Sequence, residues 1–195
     1  MIRNFSWKQP FVVALIFGFA LSYAGNAGAM KYMGLKDAIK HFLPEGATLS
    51  KVTKDLSAAQ ASSLSAKYGL KDTADFKDTL KAGSHTVYVG RGSDGNAQIY
   101  IFVLDQYWRT CFHQFAVGVT PDGKIKEVAA MDLPCKYQRP IAKKSFLSQF
   151  SGKNGSTARL GKGVDAITGA TASSEATTII ARRALALHEA FFGGK

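Results

Sequence analysis

From residue 34 onward the hydrophobic positions change period several times, and each change marks an element. Gly34 to Leu43 (GLKDAIKHFL) spaces its apolar residues three and four apart, as one helix face requires, and Pro44 ends the run. SAAQASSLSAKY, from about Ser57 to Tyr68, reads as a second helix stopped by Gly69. Residues 69–83 are polar, with acids and lysines in alternation. They read as a connector in which DFKDTLK is a candidate short helix. The period then drops to two. His85 to Val89, Ala97 to Leu104, Cys111 to Thr120 and Lys124 to Met131 read as four strands, separated by GRGSDGN and the hairpin signal Pro121-Asp122-Gly123. Leu133 to Gly163 is less regular. Ser145 to Phe150 reads as a short helix turning Phe146, Leu147 and Phe150 inward, and SGKNGSTARLGKG reads as a flexible surface loop. A last helix, about Ser174 to Phe192, repeats Ile179, Ile180, Ala184, Leu187 and Phe191 at helical spacing. The predicted class is α+β: an antiparallel meander packed with helices, with no internal repeat.

Length and composition sharpen this picture. The 195 residues, 46% hydrophobic, suffice for one sizeable core. The first 29 residues stand apart. Arg3 and Lys8 precede the uncharged run FVVALIFGFALSYAG, and small residues then end in Ala27-Gly28-Ala29. That order predicts a secretory signal cleaved before Met30; the competing reading is an uncleaved membrane anchor, which Gly18, Gly25, Asn26 and Gly28 disfavour. The expected organisation is a leader at 1–29, an N-terminal helical segment at 30–84 and a main domain at 85–195, all of the folded part outside the cytoplasmic membrane. Net charge is +11 and falls to +9 without the leader, with 23 basic residues against 14 acidic. Export argues against nucleic acid as the partner of this charge, and favours an acidic protein or an anionic membrane surface. Cys111 and Cys135 permit one disulfide or a pair of reduced thiols. The four histidines show no metal-binding spacing.

One stretch is not explained by folding alone: VDAITGATASSEATT, residues 164–178, at the mouth of the last helix. Ser173 or Ser174 can serve as N-cap, Glu175 puts negative charge on the first turn, and Gly169 allows a sharp bend. A cap needs one hydroxyl, which leaves Asp165, Thr168 and Thr171 over. The unsatisfied N–H groups of a helix start suit a phosphate, and Gly169 and Ala170 would let it approach the backbone. The spacing is not that of a Walker loop.

Asp165-Ala166-Ile167-Thr168-Gly169-Ala170-Thr171-Ala172-Ser173 resembles the D-x-x-[ST]-G-A-T-x-[ST] motif of the FMN-binding domain family. That family includes the flavin subunits of the sodium-pumping NADH:quinone reductase and of the Rnf complex. Phe115 to Val128 resembles its strand–hairpin–strand, and Phe146 to Lys153 its F-x-x-Q-F-x-G-K segment. The resemblance covers about residues 85–192. It implies that Thr171 carries FMN through a phosphoester, attached outside the cytoplasm by a flavin transferase that consumes FAD. Asp165, Thr168, Gly169, Ala170, Ser173 and Ser174 would surround the attachment point. Where many members have an H-x-E-T-P-G-like turn, this chain has Met131 to Pro140, so the environment of the ring differs. Cys135 falls in that turn, as a thiol near the ring or as the partner of Cys111.

FMN would carry the electrons, and the protein would bind and tune it. Lys136, Arg139, Lys143 and Lys144 are candidates for a basic surround of the flavin, or form a solvated basic face. Tyr137 and Phe150 are candidates to stack on the ring, or belong to the core. With no nicotinamide fingerprint, the resemblance implies an exported electron relay between membrane-associated and periplasmic or extracellular redox partners, rather than a stand-alone enzyme. The alternative is a flavin-binding sensor or accessory module without turnover.

Overall fold

The computed structural model describes residues 30–193; the expected leader lies outside the described residues. The elements run β1 (Met30–Lys31), α1 (Leu35–Phe42), β2 (Thr48–Leu56), α2 (Ala58–Lys67), β3 (Gly83–Arg91), β4 (Ala97–Trp108), β5 (Cys111–Val119), β6 (Ile125–Leu133), a 3-10 segment (Lys136–Ala142), α3 (Lys144–Leu147), a 3-10 turn (Ser148–Phe150) and α4 (Thr171–Phe192). The six strands form one antiparallel sheet ordered β1-β6-β5-β4-β3-β2. It is the α+β meander expected from the period-two runs, with a short N-terminal strand added at the β6 edge.

Alternation along the central strands fills two cores. On β4, Tyr100 and Phe102 face α4, while Ile99 and Ile101 face α1. On β5, Phe115, Val117 and Val119 face α4, and Ala116 faces α1. Strands covered on both faces read as near-continuous apolar runs, which is why β4 to β6 were legible. The α1 side is floored by small residues. A Cβ on Gly118 would lie 2.5 Å from Phe42 Cδ1, and one on Gly90 would lie 2.7 Å from Ile99 Cγ2. These two glycines let α1 rest directly on the sheet.

Three expectations change. Segment 30–84 contributes its two helices, but residues 48–56 form β2, which pairs with β3 along its whole length. The segment is therefore part of the same sheet. DFKDTLK forms no helix. The stretch 151–163 is not a loose loop: Asn154 Oδ1 accepts from the Ser156 and Thr157 backbones, Leu160 bridges to Val164, and Ala158 is fully buried.

Cys111 begins β5 and Cys135 follows its neighbour β6, so pairing of the strands brings the Cα atoms to 6.0 Å and the two sulfurs bond. Among the described residues no cysteine is free, which removes Cys135 as a thiol near a flavin. Closing this loop contributes about 3 kcal/mol by restricting the unfolded chain.

Gly118→Val drives two methyl groups into the Phe42 ring. It should cost about 1–3 kcal/mol of stability, read as a lower urea midpoint with an unchanged slope. An unchanged midpoint would mean that α1 does not bear on this face.

Candidate functional site

Residues 164–174 form a hairpin of chain that delivers Thr171 to the surface. Gln149, from the turn after α3, clamps its start: its Oε1 accepts from Asp165 N–H at 2.8 Å and its Nε2 donates to Asp165 O at 3.4 Å. Phe146 and Phe150, either side of Gln149, are buried in the core. The backbone of Gly152 and Lys153 then exchanges two hydrogen bonds with Ile125 at the start of β6. The segment 146–153 thus ties the motif to the sheet.

Ala170 N–H donates to Ile167 O at 2.9 Å, closing a four-residue turn. Gly169, third in that turn, has φ +79°, a conformation that favours glycine, and nothing lies within 4 Å of where its Cβ would be. The turn leads straight into α4. The cap position is Ala170, no side chain caps the first turn, and no acid lies in it. This overturns the expected roles of Ser173, Ser174 and Glu175. Ser173 and Ser174 lie inside the helix and are buried. Ser174 Oγ donates to Ala170 O at 3.0 Å and accepts from Ile167 N–H at 3.1 Å. It braces the turn rather than the helix start.

Thr171 is therefore the first helical residue, exposed, with Thr168 and Gly169 exposed beside it and Ala170 buried beneath. Asp165 is exposed at the clamped start of the hairpin. The first hydrogen bond within the helix is Ser174 N–H to Ala170 O, at 2.8 Å. The N–H groups of Thr171, Ala172 and Ser173 have no acceptor within the helix, and they carry the positive end of a 22-residue helix dipole. A hydroxyl at that point, with open space over Gly169, fits a phosphate or phosphoester.

Below Thr171 the same face of α4 carries Glu175, Thr178 and Arg182, at i+4, i+7 and i+11. Arg182 is buried. It donates to Glu175 Oε1 at 3.0 Å, to Gly69 O at 2.8 Å and to Tyr68 O at 3.2 Å. Arg159 Nη2 donates to Tyr68 O at 2.8 Å. Its guanidinium passes so close to Gly69 (φ +59°) that a Cβ there would lie 2.4 Å from Nη1. Asp78 is 6% exposed, and burial pushes its carboxyl up to about 6 against the pull of Arg182. Asp78, Glu175, Arg182, Arg159, Lys71 and Phe76 line a cavity of about 310 Å³. This cluster is not legible in the pattern of residues, because Asp78 sits in what reads as a polar connector.

The other candidates disperse. Lys136, Arg139, Lys143 and Lys144 are all exposed. Tyr137 is 65% exposed, with Lys136 Nζ 4.8 Å above its ring. Phe150 is a fully buried core residue and has no face to offer a flavin. Among the described residues no group of His, Cys, Asp and Glu could hold a metal ion.

Two outcomes follow from this geometry. Ser174→Ala leaves the Ile167 N–H without its acceptor and should cost about 1–3 kcal/mol, measured by urea unfolding. Asp78 has a folded pKa of about 6, above its unfolded value of 3.8, so the folded state holds the extra proton between them. Its contribution to stability is greatest below the unfolded value and declines as pH rises through about 6. Asp78→Asn should remove that decline from stability curves measured between pH 4 and 7.

Residues 112–186 match the family model described as the FMN-binding domain. Among solved structures the chain is similar to the crystal structure of NqrC from Shewanella oneidensis, at 16% identity over 75% of this chain and 83% of that one, with a TM-score of 0.49. No curated protein matches. The matched segment holds β5, β6, the Gln149 clamp, the 165–171 turn and most of α4.

Proposed function

We propose that Thr171 carries FMN as a phosphoester and that the protein relays electrons outside the cytoplasm between membrane-associated and periplasmic or extracellular partners. One observation carries this: within the matched segment, Thr171 is an exposed hydroxyl at an uncapped helix start, behind a turn that leaves its approach open. The oxygen of Thr171 would attack the FMN-side phosphorus of FAD. A P–O bond forms, the pyrophosphate bridge breaks, AMP leaves and the hydroxyl proton is released. A flavin transferase would supply the catalytic groups for this step.

Once bound, FMN supplies the redox chemistry. The residues of this chain do the rest. The first-turn N–H groups hold the phosphate, Gly169 keeps its approach clear, and Gln149 and Ser174 fix the turn against the sheet. The net positive charge of the folded part favours encounter with acidic redox proteins or an anionic membrane surface.

Intact-mass measurement of protein exported from a host with the transferase should show a gain of one FMN less water. Thr171→Ala should lose it, as should protein expressed without export. Exported wild-type protein with no added mass would contradict covalent attachment. A loaded flavin that neither a quinol nor a reduced haem protein can reduce would contradict the relay.

A further inference from the structure

One end of the sheet gathers the exposed aromatic side chains. Strand β4 finishes at Trp108, the chain turns at Arg109, and β5 returns from Cys111. The disulfide holds Cys135 alongside, and with it Lys136 and Tyr137. Tyr107 is 53% exposed and Tyr137 65%, more than any other large hydrophobic side chain among the described residues. Tyr107 packs against Phe112, with 5.1 Å between ring centres. Both cation–π pairs among the described residues lie here: Arg109 is 5.1 Å from the Trp108 ring, and Lys136 is 4.8 Å from that of Tyr137. Rings with a polar tip, set under cations, suit the boundary between water and a bilayer. Tyrosine and arginine also serve protein interfaces, and two further observations favour the bilayer.

The first is where the chain joins the sheet. Met30 pairs antiparallel with Leu133 at the end of β6, so the sequence before Met30 joins at this same end. That sequence holds the uncharged run FVVALIFGFALSYAG, apolar in the manner of segments that enter bilayers. The second is charge. Beside the rim, the pairing of β3 with β4 stops at Tyr88 and Ile101, and a cleft of about 350 Å³ opens between β4 and the 74–81 connector. Tyr107 and Arg109 line it, together with Lys77, Lys81 and Arg183, against only Asp75 and Asp105. Asp75 is taken by Arg109 at 3.1 Å. Arg183 forms no ion pair among the described residues. Its Nη1 donates to Asp105 O and Gln106 Oε1, and its buried Nε has no acceptor. Unneutralised cations beside amphipathic rings match a surface of anionic headgroups.

We infer that this rim docks on an anionic phospholipid surface, with Tyr107, Trp108 and Tyr137 among the headgroups and Arg109, Lys136 and the cleft cations facing their phosphates. The inference deepens the relay reading by naming the membrane side of the molecule. Helix α4 runs opposite to β4, with His188 against Tyr100 and Arg183 at Asp105. Thr171, about 18 Å of helix before Arg183, therefore lies toward the rim. Docking there turns the proposed attachment point to the bilayer.

Trp108 reports on the docking directly. Exported protein carrying Trp7→Phe has Trp108 as its sole tryptophan, whether or not residues 1–29 remain. Phosphatidylglycerol vesicles should move its emission to shorter wavelength, and brominated phosphatidylglycerol should quench it. Phosphatidylcholine should do neither. Arg109→Asn with Lys136→Gln removes two rim charges and keeps a residue that tolerates the positive φ of the turn. This pair should need roughly tenfold more lipid for half quenching. Lys51→Gln with Lys54→Gln removes the same charge from β2, at the other edge of the sheet, and should leave the titration in place. No quenching by phosphatidylglycerol, equal quenching by phosphatidylcholine, or equal weakening by both pairs would each overturn the rim. Should the Arg109 variant not fold, added salt decides on protein with the native rim. Quenching lost to salt supports the docking, and quenching indifferent to salt overturns it. Intact mass on each sample reads the FMN separately: a rim that fails leaves the attachment standing, and docking without FMN mass leaves the rim standing.

Discussion

Everything at the candidate site hangs on the burial of α4. Fourteen of its 22 residues are buried, so the helix is clamped on most of its circumference rather than on one stripe. Ile179, Ile180, Ala184 and Leu187 pack on the sheet across β4 and β5. Lys67 and Tyr68 hold its far end from α2 through Glu189, at 2.7 and 2.9 Å. A helix seated this firmly cannot shift along its axis, so its first turn occupies a fixed place. The uncapped N–H groups there are stable in position without being satisfied, the preorganisation that an anion site requires.

The turn before the helix uses the same rigidity. Ser174 looks like a cap in the sequence, yet its hydroxyl reaches back to Ala170 and Ile167 and holds the turn closed. Its burial is what keeps Thr171 outside: four positions of helix separate a fully buried serine from a turn whose exposed tip carries Thr168 and Gly169. Gln149 fixes the other end from the 146–153 segment, which itself is pinned to Ile125. Sheet, clamp, turn and helix form one continuous connection from the hairpin to the hydroxyl.

Much of this was legible, for identifiable reasons. Strands β4, β5 and β6 are apolar on both faces, and the Pro121-Asp122-Gly123 turn separates two of them. Strand β2 was missed because it is an edge strand: Lys51 and Lys54 are exposed, only Leu56 is buried, and no clean alternation remains. The pattern ends β4 at Leu104, whereas the strand runs on to Trp108, because Arg109, not Gly or Asn, takes the positive φ of the tight turn into β5. The motif itself was legible by resemblance, but its capping was misassigned. Hydroxyl type alone does not tell whether a serine caps a helix or braces the turn before it. The Asp78 cluster left no trace, since burial of a single acid in a polar connector depends on contacts made from residues about one hundred positions away.

The central claim is that one oxygen, Thr171 Oγ1, carries the flavin. Tandem fragmentation of the tryptic peptide 163–182 from exported, loaded protein tests it most directly, because that peptide also contains Thr168, Ser173, Ser174, Thr177 and Thr178. The account predicts the FMN mass on Thr171 alone. The adduct on Thr168 or Ser173, or on any peptide outside this one, would contradict it.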